Sequence, residues 1–481
     1  MENNSGFPKR FKLISFYKEE WETSNKILLQ LQKLCNKEKL SIEEKFQKLS
    51  SVIQIFEHQH RFNQFNAEDI INLNTKKCIG LENAIKDYFK NNIDKFYSKI
   101  LQFIIEQALL LPERAQQKYG EQTLPLMVSN KEIKEEIPKK LILSILSNDF
   151  FCNHKDFVSQ LNLDQKKLTH LEEWCNVDWY WLYSFENNVS INRINCLLAY
   201  FDFAHNMFQL KNNNYFEKNV IVERIIFKRD KIINHLSKCE NKFEEQDINI
   251  HIKTMDNPEI ETQSIVDFAN MDFQTGQIIP SATQEEILFS TRPEMFIAMF
   301  ICQRIYENEI IIISGANKLF EYEGYSYNFK FLKINENVYN NNTDLNENVL
   351  ALDATMFDHY LYNNVVQDIS KFYTACNYCK NKYKNPVIST GSWGCGAFGC
   401  DRAHKFLQQL ISAKANDVKL SFSTFGKQNY CDSLKEFLKC IIKCKPKVND
   451  LWKLIINFKG NSDEEFHQYL KKQLGNEFYI G

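Results

Sequence analysis

Glycine and proline are scarce in this chain of 481 residues, which has 14 and 9 of them, and that scarcity excludes collagenous and Pro/Gly-rich low-complexity classes. An excess of charge of either sign is also missing. The 59 Lys+Arg against 61 Asp+Glu leave a net charge of -2, which disfavours intrinsic disorder and a strongly basic nucleic-acid binder, so no direct DNA binding is expected. Long apolar runs are absent: the longest, such as Met295 to Cys302, fall far short of the roughly 20 residues of a membrane span. The first ten residues hold no apolar targeting segment. Dense cysteine spacing is missing as well, since the 14 cysteines are scattered from Cys35 to Cys444 and read as reduced thiols rather than as a secreted disulfide framework. These absences predict a cytoplasmic or nuclear globular protein without membrane contact. Aromatic residues, by contrast, are abundant, with 38 Phe, 21 Tyr and 6 Trp, and the length allows a large core.

The first half reads as helical. Apolar residues recur at helical spacing in Asp94 to Leu111, Lys139 to Phe151 and Ile191 to Phe208, and the one strand candidate before Lys231 is Asn219 to Lys228. From about residue 245 short β-branched runs appear at Ile248 to Ile252, Ser264 to Phe268, Glu309 to Ser314, Val349 to Ala351, Pro386 to Ser389 and Val418 to Thr424. Amphipathic segments separate them at Glu285 to Tyr306, Met356 to Tyr373 and Asp401 to Ala415, the alternation of a layered α/β domain. Ser433 to Phe458 is helical again, Lys238 to Asp247 reads as a linker, and Asn335 to Asn348 reads as a surface loop.

Four of the fourteen glycines fall between Gly391 and Gly399, directly after one strand candidate and before a helix. A strand, a glycine-rich turn and a helix N-terminus let backbone N–H groups converge on an anion, because no Cβ blocks close approach and the helix dipole favours negative charge. A phosphate or diphosphate suits such a cradle, and a tight turn that merely packs closely is the plain alternative. A second feature is Val266-Asp267-Phe268-Ala269-Asn270 at a strand end, followed by Gln284-Glu285-Glu286 at a helix start. Adjacent carboxylates there are usually a solvated first turn. Successive helical residues point about 100° apart, so the pair would not face each other across a glycosidic bond. One carboxylate acting as acid and base while the other positions a hydroxyl fits better.

Asp267-Phe-Ala-Asn270, Gln284-Glu285-Glu286, Glu321-Tyr-Glu-Gly-Tyr325, Ala351-Leu-Asp-Ala354, Gly391-Ser-Trp-Gly-Cys-Gly-Ala-Phe-Gly399 and Ser423-Thr-Phe-Gly426 resemble, in order and spacing, the motifs of poly(ADP-ribose) glycohydrolases. Leu109 to Glu113 and Leu143 to Cys152 are similar to that family's helical accessory region. The resemblance runs from about residue 95 to the C-terminus. It implies an α/β fold with a macrodomain-like mixed sheet flanked by helices, preceded by a mainly helical accessory domain. The divisions expected are a helical N-terminal extension over 1–90 that could meet protein partners, an accessory domain over 91–240 and a catalytic domain over 241–481.

The activity implied is hydrolysis of the ribose-ribose O-glycosidic bond of poly(ADP-ribose), releasing ADP-ribose without metal or cofactor. Glu286 would be the general acid/base and Glu285 would hold ribose hydroxyls. Asp267, Asn270 and Gln284 would orient this pair and the adenosine. Gly394, Cys395, Gly396, Ala397, Phe398 and Gly399 would hold the diphosphate and its ribose, with Tyr325 and Phe425 as aromatic walls. Where the family has three consecutive glycines, this chain has Gln274-Thr275-Gly276, and side chains there are expected to narrow the ribose and phosphate space or to resist positive φ. Ser392 and Cys400 stand where the family has Asn and Gly.

Weaker signals have plain explanations. Cys376-Asn-Tyr-Cys379 lacks the second pair a zinc ribbon needs, and Cys152-Asn-His154 is weaker still. Trp174, Trp179 and Trp181 are more simply core, and Lys443 to Lys447 is a small basic surface run. Two classes of function stay open at this level: a glycohydrolase, favoured by Glu285 and Glu286, or an ADP-ribose-binding or scaffolding protein, favoured by Gln274 and Thr275.

Overall fold

An eight-stranded mixed sheet lies at the centre of the protein, in a computed structural model that describes residues 10–11, 18–36, 40–57, 78–153, 175, 177–210, 214–340 and 347–475. In spatial order its strands are Ile133–Pro138, Asn219–Ile226, Glu309–Ser314, Asn348–Ala351, Ser264–Asp267, Val387–Thr390, Lys419–Ser423 and Ile248–His251. The first four pair antiparallel, and from Asn348–Ala351 onward every pairing is parallel. Glu309–Ser314 is buried along its whole length, which its run of four isoleucines dictates, because a central strand covered on both faces needs no polar alternation. All six β-branched runs of the second half form strands of this sheet.

Ile133–Pro138 was not legible as a strand. Its IKEEIP sequence carries charge where a central strand would carry apolar side chains, yet an edge strand tolerates this and is protected by it from further pairing. This strand and Asn219–Ile226 both precede residue 240, so the sheet takes strands from either side of that point. Two expected helices differ in their bounds. Glu285 to Tyr306 is broken into Gln284–Thr291, a 3-10 turn Pro293–Phe296 and Ile297–Ile301, because Pro293 has no N–H to continue the first helix. The helix expected from Met356 begins at Tyr362 and runs to Lys382, and it carries Cys376 and Cys379 buried on its face.

The helical region packs on the edge strand Ile133–Pro138 and on the segment from Gln284 to Phe296. Its longest element, Asn188–Gln209, starts at Asn187, whose side chain accepts the Ser190 N–H at 2.8 Å. That helix is buried on nearly every side, its polar Ser190, Asn192, Arg193, Asn195 and Asp202 included. The helices Lys18–Cys35, Ile42–Glu57 and Ile79–Phe89 contribute Ile27, Leu31, Phe46, Val52 and Ile85 to the same continuous core. Trp179 is buried with its indole donating to Asp149 at 2.6 Å, and Trp181 is 38% exposed. Trp174 and His154 lie outside the described residues. Among the described residues, no helix is long and apolar enough to cross a membrane.

Buried ion pairs join the helix Lys139–Phe150 to the turn Pro293–Phe296 and one strand of the sheet to its neighbour. Lys139 Nζ lies 2.8 Å from Glu294, 3.1 Å from Asn317 Oδ1 and 3.8 Å from the centre of the Tyr215 ring, with lysine and glutamate each 1% exposed. Arg224 pairs with Glu309 and donates to the Met127 and Gln303 carbonyls. Removing one member of a buried pair leaves the other charge uncompensated, whereas removing both is far milder. Lys139→Met should therefore lower unfolding stability by about 3–5 kcal/mol, and Lys139→Met with Glu294→Leu should recover most of it. Equal losses in the single and double variants by denaturant unfolding would contradict this account.

Candidate active site

Ligands of open α/β sheets bind beyond the carboxyl ends of the strands. In this sheet the parallel strands end together at Asp267, Ala351, Thr390, Ser423 and His251. A cavity of about 370 Å³ opens there. One wall is the start of the helix Gln284–Thr291, the floor is the turn from Gly391 to Phe398, and the rim includes Tyr325 and Phe425.

Gln284 fixes the acidic wall to the sheet. Its side-chain oxygen accepts the Phe268 N–H at 2.8 Å and its amide donates to the Val266 carbonyl at 2.8 Å, so the side chain pairs with the strand end as a further strand would. Glu285 lines the cavity, and its Oε2 accepts the Asn270 N–H at 3.4 Å. Its Oε1 is buried without a hydrogen-bond partner. Glu286 closes a capping box, its Oε2 accepting from the Thr283 N–H at 2.8 Å and from the Thr283 hydroxyl. Asp267 is fully buried behind them, and neither of its carboxyl oxygens has a partner.

Burial holds the Glu285 carboxyl well above the usual carboxylate range, reinforced by the charges of Asp267 and Glu286. Asp267 is pushed up in the same way, first by burial and then by Glu286, against a smaller pull from Arg292. Groups so placed cannot all ionise together, and the cluster keeps a proton to higher pH than an exposed carboxylate would. That is the condition for a carboxylic acid acting as a proton donor near neutrality.

The glycine-rich turn is built from below. Trp393 is buried, donates its indole N–H to the Leu352 carbonyl at 2.8 Å, and stacks over Lys405, whose Nζ is 4.3 Å from the ring centre. Lys405 in turn pairs with buried Asp368. Asp401 caps the following helix Arg402–Ala415 by accepting the His404 N–H at 2.8 Å. Gly391 is required by packing, since a Cβ there would sit 2.9 Å from the Ser423 carbonyl oxygen. At Gly396 a Cβ would meet nothing within 4 Å. Its backbone is open to the cavity.

Glu285, Gln284, Tyr325, Phe425 and the residues from Gly394 to Phe398 line this one cavity, while Asp267, Asn270 and Glu286 stand directly behind its wall. Tyr325 and Phe425 meet edge to face with ring centres 5.0 Å apart. Gln274 and Thr275 differ from expectation: their side chains are not part of the cavity wall, and both residues adopt positive φ, +52° and +59°. Gln274 is fully buried, turned toward Arg193. No local motif marks Arg193, or Arg402, which lines the cavity with its guanidinium 4.8 Å from the Tyr430 ring centre. Tyr430 bonds the Ser392 hydroxyl at 3.3 Å. Single basic residues inside helices have no local pattern that marks them. Among the described residues one trio has metal-like spacing, Glu57, Cys152 and Asp178, and it is not part of this cavity.

Two family models match the chain: the helical domain of poly(ADP-ribose) glycohydrolase over residues 88–224 and its macro domain fold over residues 233–432. Among curated proteins, poly(ADP-ribose) glycohydrolase 1 of Caenorhabditis elegans is 31% identical over 43% of this chain and 28% of its own length. Poly(ADP-ribose) glycohydrolase 2 of the same organism is 27% identical over 53% of the chain and 57% of its own length. A probable poly(ADP-ribose) glycohydrolase 2 of Arabidopsis thaliana is 25% identical over 40% of the chain and 45% of its own length. The match thus spans from about a quarter to somewhat over half of these relatives.

The two glycines of the turn predict opposite effects on stability. Gly391→Ala places a methyl against a carbonyl oxygen and should cost about 1–3 kcal/mol. Gly396→Val meets open space and should leave the thermal midpoint within about 2 °C, because an exposed change away from packed groups is usually near neutral. A Gly396 variant that unfolds as readily as the Gly391 variant would show that the cavity is not open as described.

Proposed function

The chain belongs to the poly(ADP-ribose) glycohydrolase family, and from that membership and the site's geometry we propose that it hydrolyses the ribose-ribose O-glycosidic bond of poly(ADP-ribose) and releases ADP-ribose. The observation that carries this reading is the buried carboxyl cluster facing a glycine-rich anion cradle across one cavity. The backbone N–H groups of Gly394, Gly396, Ala397 and Phe398, together with the helix beginning at Arg402, would receive the diphosphate, since those of Cys395 and Gly399 are bonded to the Ser392 and Gly396 carbonyls. Tyr325 and Phe425 would enclose the nucleotide by ring contacts.

In the proposed reaction the acid form of Glu286 gives its proton to the leaving ribose oxygen as the glycosidic C–O bond breaks. The resulting carboxylate then takes a proton from the water that attacks the anomeric carbon, which regenerates the acid. Glu285 holds ribose hydroxyls, and the partial negative charge of the site stabilises the oxocarbenium-like transition state. A second assignment, with Glu285 as the proton carrier, is favoured by the free Glu285 Oε1 in the cavity wall. The fourteen cysteines, all free thiols, support placing the protein in a reducing compartment, cytoplasm or nucleus.

Glu286→Gln should abolish release from polymer, by at least about a thousandfold, while ADP-ribose affinity stays within a few-fold. Glu285→Gln should lose more of its effect in binding. If Glu285→Gln alone abolishes turnover at intact affinity, the second assignment is correct. Wild-type protein that binds ADP-ribose but releases none would overturn the hydrolytic reading.

The pH dependence has a definite sign. The folded cluster prefers its protonated form, so its contribution to stability is present at acid pH and is lost as pH rises through the folded value, above the ordinary carboxylate range. Release should fall across the same window. A rate that keeps rising well into alkaline pH would count against a carboxylic acid as the proton donor.

A further inference from the structure

Gln274, Thr275 and Gly276 form three consecutive left-handed residues, with φ of +52°, +59° and +81°. Residues other than glycine persist in that conformation only when their surroundings fix them. The Gln274 side chain supplies the fixing: its Oε1 accepts from Arg193 Nη2 at 2.7 Å, and its amide reaches Met299 Sδ at 3.6 Å. The same guanidinium donates through Nε to Ser290 Oγ at 3.1 Å and through Nη1 to the Ser281 carbonyl at 3.1 Å and the Ile279 carbonyl. Arg193 is 0% exposed and sits in the long helix Asn188–Gln209. One cation of the helical region therefore grips the segment before and after the acid pair Glu285 and Glu286, and its own environment includes both of their charges.

We propose that Arg193 and Gln274 are positioning residues for the acid pair: their buried contact sets the left-handed loop against the segment that carries Glu285 and Glu286, which the same guanidinium holds at Ser281 and Ser290. A side-chain anchor then does what three glycines do by conformational freedom. The proposal rests on the glycohydrolase reading above. The N–H groups of Gln274 and Asn270 both favour the Glu285 anion against its burial. The other groups facing Glu285 are Glu286 on its own helix, Asp267 on the sheet, Arg193 on the long helix and the Cys175 thiol.

The test uses the full chain with poly(ADP-ribose) as substrate. Gln274→Met keeps the volume and removes the acceptor. It should lower kcat by at least about tenfold with KM within about threefold, and move the basic limb of the pH profile upward, because Glu285 loses a donor that favours its anion. Gln274→Glu keeps an acceptor for Arg193 and should bring kcat at its own optimum back to within about threefold of wild type. A merely structural role predicts a lower thermal midpoint with kcat and pH limb unchanged, and that outcome overturns the proposal. Should wild-type protein neither release nor bind ADP-ribose, the glycohydrolase reading fails. The positioning role is then decided by carboxyl ¹³C NMR: an upward move of the Glu285 midpoint in Gln274→Met supports it, and an unmoved midpoint overturns it.

Discussion

Two carboxyl groups buried together at one end of a sheet cannot both be charged, because taking isolated carboxylates out of water costs more than the net stability of a domain. Asp267 and Glu285, beside Glu286, meet this constraint in two ways. Protons stay on the cluster, which is why burial pushes Asp267 and Glu285 upward. Positive charge is also brought close from two directions, by Arg193 out of the helical region and by Arg292 at the end of the acidic helix. Arg292 is itself held by Glu347 and Asp256. Burial pulls Arg193 down to about 10, so it remains cationic at neutral pH. The helical region is in this sense part of the site, since without Arg193 the acidic segment would lose both its main anchor and the counter-charge behind it.

The anion cradle is supported by different physics. Its ligand-facing side is bare backbone, and rigidity comes from beneath, where Lys405 and Asp368 pair, Lys371 and Asp353 pair, and Trp393 is clamped between the first of these and the Leu352 carbonyl. Thr355 donates to Asp368 through both its N–H and its hydroxyl, at 2.9 and 2.7 Å. Donors fixed in this way need no reorganisation when charge arrives, and this is where preorganised sites draw most of their electrostatic advantage. Charged pairs kept out of contact with ligand thus stiffen a surface that itself carries no charged side chain at its centre.

The sheet was legible because its strands are short runs of Val, Ile and Phe bounded by polar or glycine-rich segments, and the cradle because four glycines cluster in a chain that has few. The features that carry no local signal are those whose cause is tertiary. Ile133–Pro138 forms a strand because a neighbour with Val220 and Val222 recruits it. Phe320–Glu323 and Lys330–Ile334 pair as a hairpin across an irregular register, which blurs the alternation that would mark them. The helix Tyr362–Lys382 starts late because the residues before it rest on the cradle, with His359 3.1 Å from the Cys400 sulfur. Arg193 has the same character: its helix was evident, but nothing local says that one polar position on it faces inward to four partners.

The loop from Gln274 to Gly276 shows where motif reasoning needs a structural distinction. A motif glycine can be needed for its φ or for the space its missing Cβ leaves, and the two needs have different substitutes. At Gly391 the need is space, because backbone oxygen lies 2.9 Å from where a Cβ would be, and no rearrangement of a side chain relieves that contact. At Gln274 and Thr275 the need is conformational. A left-handed residue costs about 1–2 kcal/mol, and a buried hydrogen bond to a charged group returns about 1.5–3 kcal/mol. The Arg193 contact is therefore of the right size to hold Gln274 in place, and the Thr275 hydroxyl adds a bond of 2.6 Å to the Gln274 carbonyl. Loss of glycine at such positions does not by itself imply loss of the backbone geometry. It implies a new dependence on the anchor.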